Sequence, residues 1–412
     1  MKTLKGFREF YPDPVPSKDS WSFGVRQWVF DTWRRTARSY GFVEYDGAPL
    51  EPLELYTQKS GDEIVGQLYN FVDKGDRDVA LRPEMTPTLA KLVSQSAHHY
   101  KKPAKWFSIP QLFRYERNQR GRLREHFQLN ADIVGEASSG ADAELISFLI
   151  DVLRNLGLKE GEFVIRLSSR TAWQEFYEQN GGNPDLSYQF YQAIDKMDRL
   201  PADVTEEALR QTGIDSKAVE AFIAEAKPVG DLVDVVDQLG QRGFANFISV
   251  DYKIIRGLAY YTGVVFEAFD TSGKFRAIAG GGRYDSLIKM VSGGKADMPA
   301  LGFGMGDVVL TEMLKELGRI PETAFSPDIY FAIEDESLRA QSLREIQWFR
   351  DQGFSVLFPL SKTKPDKQFK LASDLKARFV IHIDPLNPQV LTFTHLSTRD
   401  KSQGPREHIN NL

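Results

Sequence analysis

Strand-patterned sequence stops near Thr171 and resumes near Phe247, and the residues between are polar and helix-forming. That interruption constrains the fold more than any other feature: a sheet is being built on both sides of a block that contributes no strands to it. The block reads as a helical insertion over residues 171–244, punctuated by Pro184, Pro201 and Pro228.

On the N-terminal side, Trp21, Val25, Trp28, Val29, Thr32, Ala37 and Tyr40 recur at near-helical spacing, and Gly41 follows as a stop, so Ser20 to Tyr40 is expected to be a long amphipathic helix. Phe42 to Tyr45 is a short strand-like run. Leu50 to Leu55, with Pro52 inside it, is an edge strand or a bent loop. Leu68 to Val72, Asp78 to Leu81, Trp106 to Tyr115 and Phe127 to Val134 pattern as strands of an antiparallel sheet. A helix from Ala141 to about Leu156 and a strand over Glu162 to Leu167 lead into the insertion. Beyond it, Phe247 to Tyr252, Val264 to Phe269 and Phe275 to Ile278 read as strands that complete the sheet, and Gly304 to Leu317 as a helix.

Gly318 to Pro327, with three prolines or serines at 321, 326 and 327, has the composition of a linker. After it, strands at Asp328 to Ile333, Ser355 to Leu360 and Arg378 to Ile383 alternate with helices, the signature of a small α/β domain, while the polar tail from Thr398 is expected to fray. The fold class is therefore α+β, with domains at 1–320 and 326–412.

Composition narrows the chemistry. With no cysteine and only six histidines, disulfides, thiolate nucleophiles and cysteine-ligated zinc are excluded and a structural metal site is not expected. A net charge of -5 argues against a globally basic nucleic-acid surface and leaves a local patch open. The opening residues lack the apolar run of a signal peptide and no segment is apolar enough for a bilayer span, so a cytoplasmic protein is expected.

The local patch lies at Phe113-Arg114-Tyr115-Glu116-Arg117-Asn118-Gln119-Arg120-Gly121-Arg122-Leu123-Arg124-Glu125-His126-Phe127-Gln128, with five arginines in eleven positions from Arg114 to Arg124. A strand, a basic turn and a returning strand would aim guanidinium groups at one focus, suited to the phosphate oxygens of ATP or of an RNA end. A solvated charged hairpin is the alternative for such a turn. Three further blocks carry weaker signals. Leu81-Arg82-Pro83-Glu84-Met85-Thr86-Pro87 puts an acid and a hydroxyl on one loop, able to accept from an ammonium group. Ile255-Arg256-Gly257-Leu258-Ala259-Tyr260-Tyr261-Thr262-Gly263 joins an arginine to adjacent tyrosines, a pairing more often found in a core than in a ligand site. Ala279-Gly280-Gly281-Gly282-Arg283-Tyr284-Asp285 would let a ligand lie against backbone.

Taken together and in this order, the blocks resemble those of class II aminoacyl-tRNA synthetases, in the form found in histidine–tRNA ligases. The arginine-rich segment resembles motif 2; Ala300 to Leu310 resembles motif 3; Leu4-Lys5-Gly6-Phe7-Arg8-Glu9-Phe10-Tyr11-Pro12 matches the usual opening; and Pro52 sits where motif 1, the dimer element, has its proline. The resemblance implies an antiparallel catalytic sheet flanked by helices, a C-terminal anticodon-binding domain, a homodimer, and activation of L-histidine by ATP with Mg2+ followed by transfer to tRNA(His). It implies that Arg114 clamps the α-phosphate, Glu116 positions adenine, Arg122 binds the distal phosphates, and Arg117 and Gln119 approach the tRNA acceptor end. Glu84 and Thr86 would hold the amino group of histidine, Gln128 and Asp132 would line its pocket with Asp132 sensing the imidazole, and Tyr260 and Tyr261 would complete it. Arg256 would contact the substrate carboxylate and α-phosphate in the transition state.

Two positions depart from the family pattern: Ala259 stands where aspartate is usual, and Val309 where motif 3 has its ATP-binding arginine. They favour a second reading, a catalytically silent histidine sensor similar to the regulatory subunit of ATP phosphoribosyltransferase. The retained Arg114, Arg122 and Arg256 and the C-terminal domain weigh against it. A tRNA-binding module, or an aminoacyl transferase with another acceptor, is a third reading.

Overall fold

The computed structural model describes residues 3–57, 66–96, 99–116, 121, 123–197, 200–254 and 261–411. The chain divides into two units, one formed by Met1–Tyr11 with Val15–Pro321 and the other by Pro12–Pro14 with Glu322–Leu412.

The larger unit is organised by a sheet that has nine strands among the described residues: β1 (Val43–Glu44), β2 (Ala104–Ser108), β3 (Gln111–Phe113), β4 (Glu125–Val134), β5 (Phe163–Ser169), β6 (Ile248–Val250), β7 (Val264–Asp270), β8 (Ala279–Arg283) and β9 (Ala300–Gly306). Their spatial order is β6-β5-β7-β8-β9-β4-β2-β1, with β3 also on β4. The six central strands are antiparallel, and β6 and β1 close the two edges in parallel pairing.

Alternation along these strands separates a core face from a site face. Leu129, Ala131 and Ile133 of β4 lie opposite Met305, Phe303 and Leu301 of β9, and all six sit in the main core beneath helices α1 (Phe23–Ser39) and α3 (Ser139–Asn155). Helix α1 is started by the Ser22 hydroxyl, which accepts from Val25 N at 3.0 Å, and it turns Val29, Phe30, Trp33 and Ala37 inward at helical spacing. The interleaved residues Gln128, Asn130 and Asp132 lie opposite Gly306, Gly304 and Gly302 on the other face. Helix α2 (Thr86–Gln95) packs on that face, where Leu89, Ala90 and Val93 share a cluster with Val134, Tyr284 and Ala300.

The strand pattern stops where the sequence says it does. Among the described residues from 170 to 247 there are helices and short 3-10 turns only: α4 (Arg170–Gln179), α5 (Ser187–Lys196), α6 (Ala202–Gln211), α7 (Ser216–Glu225) and α8 (Asp231–Gln241). They do not form a body of their own. Trp173, Phe190, Val219, Leu232 and Leu239 belong to the same core cluster as the sheet, and the Trp173 indole donates to the Tyr252 carbonyl at 3.2 Å.

Three expectations change. Tyr69–Val72 and Asp78–Leu81 belong to a separate three-stranded sheet with Leu50–Pro52 at its edge, where a missing proline N–H does no harm. Phe275 to Ile278 is not a strand: Asp270 accepts from the N–H groups of Lys274 and Phe275, both at 3.0 Å, and this turn takes the backbone donors a strand would need. The strand is the glycine run itself, Ala279–Arg283. The helix expected from Gly304 begins three residues later, because Ala300–Gly306 pairs on both sides as β9, and α9 spans Asp307–Glu316.

The smaller unit is a five-stranded sheet in the order β11-β10-β12-β13-β14, built from β10 (Ile329–Phe331), β11 (Val356–Leu357), β12 (Phe379–Asp384), β13 (Asn387–His395) and β14 (Lys401–Gly404). Ile346 and Phe349 of α10 (Arg339–Asp351) cover one face, and Ala372 of α11 (Pro365–Asp374) the other. The tail is a correction to the sequence reading. Lys401–Gly404 pairs with β13, and Ile409, 5% exposed, enters the core, so one apolar residue and one strand pairing order a segment whose composition is otherwise polar. No helix of the described residues is long and apolar enough to cross a membrane.

Candidate functional site

Two directly opposed glycines make the floor of the site. A Cβ on Gly302 would lie 1.9 Å from Asp132 Oδ1, and one on Gly282 would lie 2.9 Å from Tyr261 Cδ1. Because Gly282 faces Gly302 across β8 and β9, the Asp132 carboxylate and the Tyr261 ring sit on neighbouring stretches of bare backbone. The Gln128 amide lies over Gly304 in the same way. Side chains at these glycines would collide with those groups; their absence lets an acid, an amide and an aromatic ring lie directly against the sheet.

Asp132 is 4% exposed, and its Oδ1 accepts from the Tyr284 hydroxyl. Burial raises its pKa to about 7, the Tyr284 bond acting in the opposite sense. The same cause, reinforced by the charge of Asp132, raises the Tyr45 hydroxyl. Tyr45, Tyr261 and Trp106 pack against the cluster that contains Tyr284. His126, at the start of β4, is pushed down to about 3, by burial first and then by the charges of Arg114 and Arg8, so its imidazole is neutral across the physiological range.

The loop ahead of α2 and the arginine-rich hairpin are stitched together. Phe113 N donates to the Arg82 carbonyl at 3.0 Å, and Arg114 Nε donates to the Pro83 carbonyl at 2.9 Å. Arg82, buried, is itself fixed by bonds to Asp46 Oδ1 (2.7 Å), the Gly47 carbonyl (2.8 Å) and the Gln111 carbonyl (3.1 Å). Arg114 is thereby brought next to the loop that carries Glu84 and leads into Thr86 at the start of α2. The hairpin closes through Arg114 N to the Arg124 carbonyl at 3.0 Å. Arg124 lies along the hairpin, its guanidinium 3.8 Å from the Tyr115 ring centroid and its Nε donating to the Glu116 carbonyl. Glu116 is 7% exposed.

Arg117, Gln119, Arg122, Arg256, Ala259 and Tyr260 lie outside the described residues. Both flanks of the segment 255–260 are anchored. Upstream, Asp251 N donates to the Leu167 carbonyl at 2.8 Å; downstream, Thr262 N donates to the Arg283 carbonyl at 2.7 Å and Thr262 Oγ1 to Asp285 at 3.1 Å. Arg283 is held by Asp142 in a buried pair, and burial still raises the Asp142 pKa to about 6 against the pull of that arginine. Val309, in the first turns of α9, stands 3.2 Å from the position a Cβ would take on Gly121 of the hairpin.

Sequence reasoning missed the residues that hold others in place. Tyr284 lies inside a quoted glycine block but signals nothing by itself, and its partner Asp132 is 152 positions away. Arg8 belongs to the matched opening; its buried carboxylates, Glu125 and Asp307, come from distant segments. No local pattern announces either pairing.

Chemically, the glycine floor carries a buried hydrogen-bond acceptor and an aromatic ring that suit a polar ring, and the hairpin carries cations and an acid that suit a phosphorylated ligand. A family model described as histidyl-tRNA synthetase matches residues 23–307. The histidine–tRNA ligase of Opitutus terrae is 40% identical over 433 residues, covering 99% of this chain and 97% of that protein. The chloroplastic/mitochondrial histidine–tRNA ligase of Arabidopsis thaliana is 38% identical over 394 residues, covering 92% of this chain and 79% of that one. In fold, the chain matches the crystal structure of histidyl-tRNA synthetase from Nostoc sp. PCC 7120 with a TM-score of 0.76 at 22% identity, over 100% of this chain and 98% of that chain. A family match over most of the larger unit and relatives aligned along nearly the whole length leave one conclusion: the chain belongs to the histidyl-tRNA synthetase family.

Proposed function

We propose that the protein activates L-histidine with ATP and transfers the histidyl group to the 3′ end of tRNA(His). The observation that carries this reading is the Asp132 carboxylate, buried over Gly302 and bonded to Tyr284, one strand from the Tyr261 ring. In this reading the oxygen that Tyr284 does not bond accepts from an imidazole N–H. Glu84 and Thr86 receive the ammonium group, Gln128 the polar backbone of the amino acid, and Tyr260 and Tyr261 the ring.

In the first step a carboxylate oxygen of histidine attacks the α-phosphorus of ATP and pyrophosphate leaves. Arg114 and Arg256 stabilise the charge that develops on the α-phosphate, Glu116 orients adenine, and Arg122 holds the distal phosphates. In the second step the terminal ribose hydroxyl of the tRNA attacks the carbonyl carbon and AMP leaves, with Arg117 and Gln119 at the acceptor end. Mg2+ would accompany the nucleotide, held mainly through its phosphates and water, and the described residues contain no group of three His, Cys, Asp or Glu side chains that would hold a metal ion by themselves. The smaller unit is assigned to the anticodon and the working form to a homodimer, both on the family resemblance. A silent histidine sensor is less supported, since relatives carrying the ligase name align with nearly the entire chain.

The test is histidine-dependent exchange of labelled pyrophosphate into ATP, with Arg256→Ala as the control. Exchange that requires histidine and falls by about a hundredfold or more in the variant is expected. Histidine binding without exchange in the wild-type protein would refute activation and restore the sensor.

A further inference from the structure

The opening segment ties together parts of the larger unit that are far apart in sequence, and it does so at the root of the arginine-rich hairpin. Arg8 Nε donates to Glu125 Oε1 at 2.7 Å and Nη1 donates to Asp307 Oδ2 at 2.8 Å, with the three side chains 2%, 1% and 5% exposed. Glu125 is the first residue of β4, directly after the hairpin, and also accepts from Gln111 Nε2 on the outgoing strand at 2.9 Å. Asp307 opens α9 and accepts from Phe127 N at 3.0 Å. Beside them the Gly6 carbonyl accepts from both Arg124 N (2.9 Å) and Glu125 N (3.3 Å), and the Phe7 ring lies against those of Phe113 and Tyr69.

From this geometry we propose that Leu4 to Phe10 is a clamp on the nucleotide hairpin and that Arg8 is a positioning residue for ATP. It fixes the returning limb of the hairpin against the first turn of α9. The proposal rests on the reading that the hairpin binds ATP. Two carboxylates this deeply buried cannot share a site without a cation, and a planar guanidinium reaches both oxygens of each at once, where the compact ammonium of a lysine has only three donors for four oxygens. The second cation nearby, Arg26, does not replace it: its guanidinium is stacked on Phe10 at 4.4 Å and Phe127 at 5.1 Å. The outgoing strand, the returning strand and the helix that presents Val309 to Gly121 therefore take their spacing from one side chain. Asp132 and Tyr261 hang on the glycine floor instead, and Arg8 makes no bond to either.

The clamp makes ATP binding depend on Arg8 while histidine binding does not, which a mere staple of the fold would not do. The experiment compares wild type, Arg8→Lys and the neutral triple Arg8→Met/Glu125→Gln/Asp307→Asn, the last keeping shape without buried charge. Equilibrium dialysis with labelled ATP and, separately, with labelled histidine is read beside the thermal melting profile of each protein. The expected result is ATP affinity about tenfold lower in Arg8→Lys and lower again in the triple variant, with histidine affinity within about twofold of wild type. Unchanged ATP affinity in either folded variant, or a parallel loss of both ligands, overturns the clamp. Wild-type protein that binds ATP without catalysing exchange would remove the ligase reading and leave this comparison standing; wild-type protein that binds no ATP would remove both.

Discussion

Asp132 shows what a single residue gives up for a site. Its carboxyl has a pKa near 7 in the folded chain and near 4 in an unfolded one. Between those values the folded state holds a proton that the unfolded state has released, so this group's contribution to stability declines as pH rises from about 4 to about 7, and the full penalty persists above that. Asp132→Asn removes the penalty and keeps an oxygen for the Tyr284 hydroxyl. At pH 8 the ligand-free variant should melt roughly 3 to 8 °C above wild type, a gain that disappears near pH 4, as read by calorimetry across pH. Histidine affinity should fall about 10- to 100-fold, because a charge-assisted acceptor has become a neutral one. A variant no more stable than wild type at pH 8 would show that Asp132 is not held in a destabilising, ligand-ready state.

At the scale of elements, legibility follows the range of the cause. Helix α1 is readable because its apolar stripe is local and a glycine stop follows just after it. The interruption of the sheet is readable because strand and helix periods differ. The strand at Ala279–Arg283 is not, since three glycines carry no strand signal and only Phe303 and Tyr261, which crowd Gly281 and Gly282 from the neighbouring segments, give them a reason to be there. The same holds for the tail: Ile409 is one apolar residue in a polar run, and its burial depends on a sheet assembled from residues 329–404. The family resemblance named Arg114, Glu84, Thr86, Gln128, Asp132 and Tyr261, whereas the partners of Arg8, Tyr45 and Tyr284 needed the fold. If the tail is part of the core, Ile409→Ala should destabilise the smaller unit by about 2 to 4 kcal/mol, measured as a shift of its own unfolding transition; a frayed tail would show no shift.

At the scale of the whole molecule, among the described residues the clusters around Phe331 and Tyr330 fall in the smaller unit and those that support the main sheet in the larger. Units with cores of their own lose their order separately, so calorimetry should resolve two transitions. Histidine binds the larger unit in the proposed reading. At a concentration about a hundred times its dissociation constant it stabilises that unit by about 2.7 kcal/mol, which should raise the corresponding transition by several degrees and leave the other where it was. Ile409→Ala should do the reverse, lowering only the transition that histidine does not move. The helical block is the sharper part of this test. Trp173, Phe190 and Leu239 lie in the sheet's own core, so the insertion should melt with the sheet and rise with it on adding histidine. A third, histidine-insensitive transition lost on proteolysis within 171–244 would instead make the insertion an independent domain, and the shared core a contact rather than a unit of folding.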